Sequence, residues 1–479
     1  MISRKSTAAP IIAMAGYLSI QIFLIINMVL YAVHGLGQSW AFANGVYGVI
    51  WSVNTIIAVV IIKFADKWGY KESCVIAMVC QILAFFFLSI GSVPAFLVGS
   101  SLFGTGASLF VSQNYVVLSN TMKKEYSGRN NVFLISYVAM NGAAFFAGII
   151  SGYANIIGYT NIFRISMVLS IIMFIFLITF YQKTKSEKGN ICYDLDCRTR
   201  KVKAMSYLFL SGVAFIAFAI LLICCFFYNV VNLLVILSIV ATFIYLIVLI
   251  FIHKGRERKK IFVFTWISLI SIIFWTGYNL YSATAFTTVL DTATNLHNFA
   301  VQDVLSVEPL VIMTLGTLVV ITLFRLEKKH IHVNAAMRSI IGLLFLSLGF
   351  FLPVIGFHTN HFSNLNVVWM IIAIAFCGFG EIFIGSVCNA IAGDCATKKL
   401  EGIFIAIGFI VLGGSGSISA VFSNWMENTS ATNTLIMTHH YSYTLGVFAL
   451  IALIGALISI ITYKISTKWG EFIPFSQKK

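Results

Sequence analysis

Val367-Val368-Trp369-Met370-Ile371-Ile372-Ala373-Ile374-Ala375-Phe376-Cys377-Gly378-Phe379-Gly380-Glu381-Ile382-Phe383-Ile384-Gly385 belongs to an apolar run that continues to Ala392. About 20 consecutive apolar residues suffice to cross a bilayer as a helix. The run holds one carboxylate, Glu381. A charge at the centre of a membrane helix costs roughly 2.5 to 3.5 kcal/mol on insertion scales, so it persists where something uses it. Gly378 lies one helical turn before Glu381, Gly385 one turn after it, and Asn389 a further turn on. One face is therefore small and polar and the opposite face apolar. This marks Glu381 as a substrate or proton site.

The rest of the chain shares the character of that run. Hydrophobic residues make up 59% and charged residues 10%, with a mean hydropathy of +0.95. A water-soluble globule carries about a quarter charged residues, so the composition specifies a polytopic membrane protein. Five prolines and the lack of alternating ten-residue segments point to helices rather than an outer-membrane barrel. Hydropathy predicts spans near 9-33, 42-63, 73-92, 96-118, 131-155, 162-181, 204-226, 229-252, 261-285, 306-325, 335-355, 366-394, 402-425 and 443-465. The first is too long and lacks a small-residue cleavage site for a cleaved leader.

The net charge of +15 is distributed by loop. Lys and Arg occupy the N-terminal tail and every second connection: Lys63 to Lys71, Lys123 to Arg129, Lys183 to Lys203, Lys254 to Lys260, Arg325 to Arg338, Lys398-Lys399 and the C-terminal tail. Arg164 alone breaks the pattern. The positive-inside rule then places both termini in the cytoplasm, with the bacterial inner membrane as the expected setting. The charge reflects topology and contact with anionic lipid, not nucleic-acid binding. None of the nine cysteines lies in an outward loop, so no disulfide framework is implied. The spacing of Cys192 and Cys197 does not suit a zinc knuckle, and no cofactor or metal is expected.

The first span carries Tyr17, Gln21, Asn27, Tyr31 and His34 near one face, and the second carries Asn44, Tyr47, Trp51 and Asn54. Two adjacent polar stripes suggest a shared cavity or hydrogen bonds within a packed bundle. Histidines gather in the outward segments, at His34, His297, His358, His361, His439 and His440, where they are able to respond to an acidic compartment. Asn428-Thr429-Ser430 is an acceptor sequon.

Family resemblance enters with Lys63-Phe64-Ala65-Asp66-Lys67-Trp68-Gly69-Tyr70-Lys71, which resembles the Asp-Arg-x-Gly-x-Lys/Arg loop of the major facilitator superfamily. The resemblance implies a cytoplasmic latch formed by Asp66, Lys67 and Lys71. In the fifth span Arg129, Phe133, Tyr137 and Asn141 fall on the helix 5 signature of the proton-dependent oligopeptide transporter family. Asn130 stands there for its Asp, and Gly142 comes one place early. Phe274-Trp275-Thr276-Gly277-Tyr278-Asn279 resembles that family's helix 7 motif, Ser306-Val307-Glu308-Pro309 its entry to helix 8, and Gly380-Glu381-Ile382 its helix 10 motif. Gly402 opens the next span as in the family.

The chain thus resembles a divergent member of that family. The resemblance implies an all-α major facilitator fold with an N-terminal six-helix bundle (1-182) and a cytoplasmic linker with an inserted two-helix hairpin (183-260). A C-terminal six-helix bundle and tail (261-479) complete it. It implies proton-coupled uptake of short peptides or amino-acid-like solutes by alternating access, and no enzymatic activity. The expected partners are a small-molecule substrate, protons and the bilayer, with the protein a monomer.

Expected substrate-lining residues are Glu381, Asn27, Tyr31, Asn114, Tyr137, Asn141, Trp275, Asn279 and Asn389. Glu381 and Glu308 are the proton-coupling candidates, and Asp66, Lys67, Lys71 and Arg129 the gating ones. Several family charges are replaced. The helix 1 Glu-x-x-Glu-Arg aligns with Phe23, Ile26 and Asn27, the helix 4 Lys-Pro-Asn is absent around Val111 to Asn114, and the helix 7 Glu is Asn279. Loss of the carboxylate-binding cations points to a divergent, cationic or modified ligand. A 14-helix exporter of drugs or siderophores shares the loop around Asp66, and a non-transporting sensor is the alternative from another class.

Overall fold

The computed structural model describes residues 4–121, 129–181, 200–328, 335–385, 401–427 and 434–468. Among them are 14 helices long and apolar enough to cross a membrane. The chain divides into two units, Met1–Tyr228 and Asn229–Lys479.

The first unit holds α1 (Arg4–Leu30), α2 (Trp40–Trp68), α3 (Tyr70–Leu88), α4 (Val93–Asn120), α5 (Arg129–Gly152), the single turn α6 (Ala154–Ile157), α7 (Tyr159–Thr179) and α8 (Arg200–Phe226). Ser39 and Ser92 cap α2 and α4, their hydroxyls accepting from the amides of Phe42 and Ala95, as free N-terminal amides require. The junction of α2 and α3 turns on Gly69, whose φ of 120° is open to a residue without a β-carbon. Close packing of α3 on α4 depends on small residues: a β-carbon on Gly99 would stand 2.8 Å from the Ala84 carbonyl, and one on Gly106 3.0 Å from that of Ala77. Without a hydrophobic drive between helices in lipid, such backbone approach supplies the packing attraction.

The second unit comprises α9 (Tyr228–Ile252), α10 (Gly255–Ser282), α11 (Ala285–Ala293), α12 (Val301–Leu305), α13 (Val307–Val311), α14 (Thr317–Lys328), α15 (Ala335–Thr359), α16 (Val367–Ile384), α17 (Glu401–Glu427) and α18 (Thr434–Lys468). Its α15 and α16 pack through glycines one heptad apart. A β-carbon on Gly342 would come 3.0 Å from the Gly380 carbonyl, one on Gly349 2.8 Å from that of Ala373, and one on Gly356 2.7 Å from Trp369. The C-terminal end of α11 and the N-terminal end of α16 are joined by a two-residue parallel bridge, β1 (Thr294–Asn295) to β2 (Leu365–Asn366), with Thr294 opposite Leu365 and Asn295 opposite Asn366.

Several spans differ from the hydropathy reading at their ends, the fourteenth beginning at Thr434, ahead of 443. The ninth runs past 285: α10 breaks at Ala283–Thr284 and resumes as α11. The Asn279 carbonyl gathers the amides of Ala283 and Thr284 and the Thr284 hydroxyl, which lets the chain bend without stranding donors. The tenth begins at Val301, ahead of 306, because the Asp303 carboxylate accepts from the Ala300 amide at 2.8 Å and caps it. Pro309, which has no amide hydrogen, follows the break at Ser306, and a π turn (Ile312–Gly316) comes next. A second π turn, Tyr31–Gly35, ends the first span, with the Leu36 amide donating to the Tyr31 carbonyl.

Candidate functional site

In the second unit, α10, α13 and α16 bring together two carboxyl groups and a phenol. Glu381 on α16 is buried, and its Oε2 accepts a hydrogen bond of 3.0 Å from the hydroxyl of the fully buried Tyr281 on α10. Glu308, half-buried on α13, packs against the face of α16 that carries Gly378, one turn before Glu381. Two ionised carboxylates brought to one buried face repel, so sharing a proton is the favoured state of such a pair. The arrangement can therefore hold a proton, or present two acidic groups to a cation.

The glycines around Glu381 make this approach possible. A β-carbon on Gly378 would lie 3.2 Å from Glu308 Cγ and 3.3 Å from its Cα, so Gly378 seats α13 on α16. Gly380 serves the opposite flank, where a β-carbon would come 2.7 Å from the Gly342 carbonyl. The Gly-x-Gly-Glu stretch thus clears both neighbours of α16 immediately before its carboxylate. The described part of this span ends at Gly385, so Asn389 lies outside the described residues.

On α10 an aromatic series leads to the phenol. Trp275 meets Tyr278 edge-on at 5.3 Å, and Tyr278 meets Tyr281 edge-on at 5.5 Å. Asn279 is fully buried and donates from one amide nitrogen to the Trp275 carbonyl at 2.8 Å and to Ser415 Oγ on α17 at 3.1 Å. In place of a charge it links two helices. The three-residue steps from Trp275 to Tyr278 and from Tyr278 to Tyr281 are the sequence signal that the three share a face.

In the first unit the expected lining residues are engaged with backbone. Asn27 donates to the Phe23 carbonyl at 2.7 Å, and Asn114 on α4 donates to the Pro10 carbonyl of α1 at 3.0 Å. Tyr31 is buried against Phe96 and Phe163, and its hydroxyl donates to the Leu88 carbonyl of α3 at 2.8 Å. Phe23 packs with Ala147, Ala154 and Ile162, so apolar contacts occupy a position where the resembled family carries a charge. Tyr137 and Asn141 are half-buried on α5, the Asn141 amide donating to the Tyr137 carbonyl.

At the basic end of this unit, Asp66 accepts a hydrogen bond from Tyr70. The Lys67 ammonium lies 5.4 Å from the ring centroid of Trp68, which stacks on Phe209 of α8. Lys71 is buried, as is its neighbour Glu72 at the start of α3, a carboxylate that the sequence analysis does not single out. Arg129 opens α5, and its side chain lies outside the described residues, as do Cys192, Cys197 and the sequon at Asn428. In the second unit, His439 stacks on Phe362 at 3.4 Å and His440 Nε2 lies 2.9 Å from the Trp425 carbonyl.

The sequence model of the POT family matches residues 97–439. No curated protein matches the sequence. Among solved structures, the fold is similar to a peptide transporter POT in complex with sulfate, at 18% identity, covering 96% of this chain and 94% of that one with a TM-score of 0.80. It is similar to tetrameric PepTSo2, at 14% identity, 97% and 99% coverage and a TM-score of 0.80. A POT family transporter in complex with 5-aminolevulinic acid matches at 15% identity, 95% and 94% coverage and a TM-score of 0.75. These structures share the major facilitator fold.

Proposed function

The chain belongs to the POT family, an integral multi-pass transporter and not an enzyme, and we propose that it couples uptake of short peptides or amino-acid-like solutes to the proton gradient. The observation that carries this reading is the Tyr281–Glu381–Glu308 cluster at membrane depth. A carboxyl pair that shares a proton is a proton carrier, and the same pair is an anchor for a substrate ammonium. The family places this chain among peptide transporters, and one structurally similar member binds 5-aminolevulinic acid, a solute with an amino group.

In this reading Glu381 receives the substrate amino group and Glu308 keeps or passes the proton. Tyr137, Asn141, Trp275 and Asn389 contribute the remaining lining, and Asn27, Tyr31, Asn114 and Asn279 hold the helices behind it. Two six-helix bundles, 1-182 and 261-479, alternate access around a midplane site, with 183-260 as linker and hairpin. Asp66, Lys67, Lys71 and Arg129 act at the basic end as a latch. Both termini face the cytoplasm of a bacterial inner membrane, and the protein works as a monomer. The replaced helix 1 charges favour a ligand held by its amine rather than its carboxylate.

The test is accumulation of a dipeptide and amino-acid library in proteoliposomes under an imposed inward proton gradient. The native protein accumulates a ligand, and Glu381→Gln, which removes an ionic acceptor, lowers its affinity roughly tenfold or more. Glu308→Gln keeps binding and loses gradient-driven accumulation. Equal accumulation by native and Glu381→Gln protein overturns the reading.

A further inference from the structure

The chain passes from the first unit to the second between Tyr228 and Asn229, at the junction of α8 and α9, and each helix is seated on its own side of that boundary. Along α8 the buried residues are Leu210, Ala214, Ala217, Leu221 and Cys225, spaced three or four apart and therefore on one face. The helix is fixed to α2 and α4 along its length. Phe209 stacks on Trp68 at 4.7 Å, Leu221 lies 3.2 Å from where a β-carbon on Gly104 would stand, and Ser101 Oγ donates to Cys225 Sγ at 3.6 Å. At the junction, Tyr228 meets Phe42 edge-on at 5.7 Å, and its ring fills the space that a β-carbon on Gly45 would need.

The following helix has a different seat. Its buried residues, Asn232, Val235, Ile239, Leu246 and Leu249, also share a face. The notch that receives it is Gly414 of α17, where a β-carbon would come 2.7 Å from Ile239 Cγ1 and 3.7 Å from Val235 Cγ1. Seven residues of unbroken helix, about 10 Å of rise, separate the Tyr228 seat on α2 from the Val235 seat on α17. In lipid, small-residue notches hold helices together by close backbone approach, so each seat moves with the helix that provides it. We propose that α8 and α9 form a strap with its arms on different bundles. Helix α8 and Tyr228 travel with the first bundle, α9 from Val235 onward travels with the second, and residues 229–234 take up the swing. The proposal rests on the alternating-access reading above and goes beyond it, because a hairpin that rides on one bundle as a single body keeps its two arms at a fixed separation.

Double electron–electron resonance on the full-length protein in lipid nanodiscs, at acidic and at neutral pH, tests this without a substrate. Spin labels carried on p-acetylphenylalanine leave the native cysteines untouched. One pair joins Leu208 to Ile247, positions 76% and 48% exposed on the two arms, and control pairs join Leu208 to Ile135 of the first unit and Ile247 to Leu457 of the second. Ile247 is 19 residues from Tyr228, an arm of roughly 28 Å, so a swing of about 10° moves it by about 5 Å. The Leu208–Ile247 distribution is expected to be broad or two-peaked and to change with pH, while both control pairs stay single and unchanged. Tyr228→Ala, which empties the seat on α2, is expected to widen the Leu208–Ile247 distribution. A single Leu208–Ile247 distance that does not change with pH, a control pair that splits, or an unaltered distribution in Tyr228→Ala protein each overturns the proposal. Because no substrate is used, failure of the uptake reading and failure of this one show separately.

Discussion

Replacing Tyr281 with Phe isolates a single hydroxyl. The ring stays, with its edge contact to Tyr278 and its burial, and the lost group is the 3.0 Å donor to Glu381 Oε2. A hydrogen bond to a charged or partly charged carboxyl contributes about 1.5 to 3 kcal/mol, which corresponds to about a ten- to hundredfold change in an equilibrium constant. If the hydroxyl aims Glu381 at the substrate amine, apparent affinity for the best-transported ligand falls by that factor. Proton-driven accumulation falls with it. Uptake in proteoliposomes at several substrate concentrations and external pH values gives both quantities, with thermal unfolding in detergent as the check on folding. Tyr281→Phe protein with native affinity and native pH dependence, alongside an inactive Glu381→Gln, would refute the assignment of Tyr281 to the cluster.

Two further predictions concern the scaffold. Gly349→Ala sets a methyl against the Ala373 carbonyl and the Cys377 sulfur, and overpacking of this kind costs about 1 to 3 kcal/mol. The melting temperature in detergent should fall, and an unchanged value would show that α15 and α16 separate freely. Tyr31→Phe leaves the buried Leu88 carbonyl without its side-chain donor and should cost about 1 kcal/mol of stability with substrate affinity unchanged. A loss of affinity at native stability would make Tyr31 a ligand contact and not a pin between α1 and α3.

The fold was legible because a membrane span is written in hydropathy alone, and the 14 apolar helices follow from it. Glu381 was legible for a related reason: a carboxylate in such a run is conspicuous by its cost. Its partners were harder to read. Tyr281 lies in an aromatic stretch where packing and hydrogen bonding have the same signature until α10 meets α16. Glu308 sits beside a proline, where a carboxylate also serves a helix start. The polar stripe of α1 illustrates the converse. Asn27 and Tyr31 are as polar in sequence as a cavity wall would be, yet each donates to a backbone carbonyl, a choice fixed by rotamer and neighbour and not by spacing. Gly378 and Gly385 were read as a small face; that Gly378 and Gly380 admit two different helices on two flanks follows from the packing.

The two-residue bridge between Thr294–Asn295 and Leu365–Asn366 acts as a pivot for the acidic cluster. It ties the C-terminal end of the segment that carries Tyr281 to the N-terminal end of the helix that carries Glu381. Glu381 lies 15 residues from Asn366, a lever arm of roughly 22 Å. A swing of α16 of about 5° around that tie displaces the carboxylate by about 2 Å, enough to carry a 3.0 Å hydrogen bond beyond bonding range. A small rotation at the bridge would thus suffice to make or break one contact 15 residues along the helix.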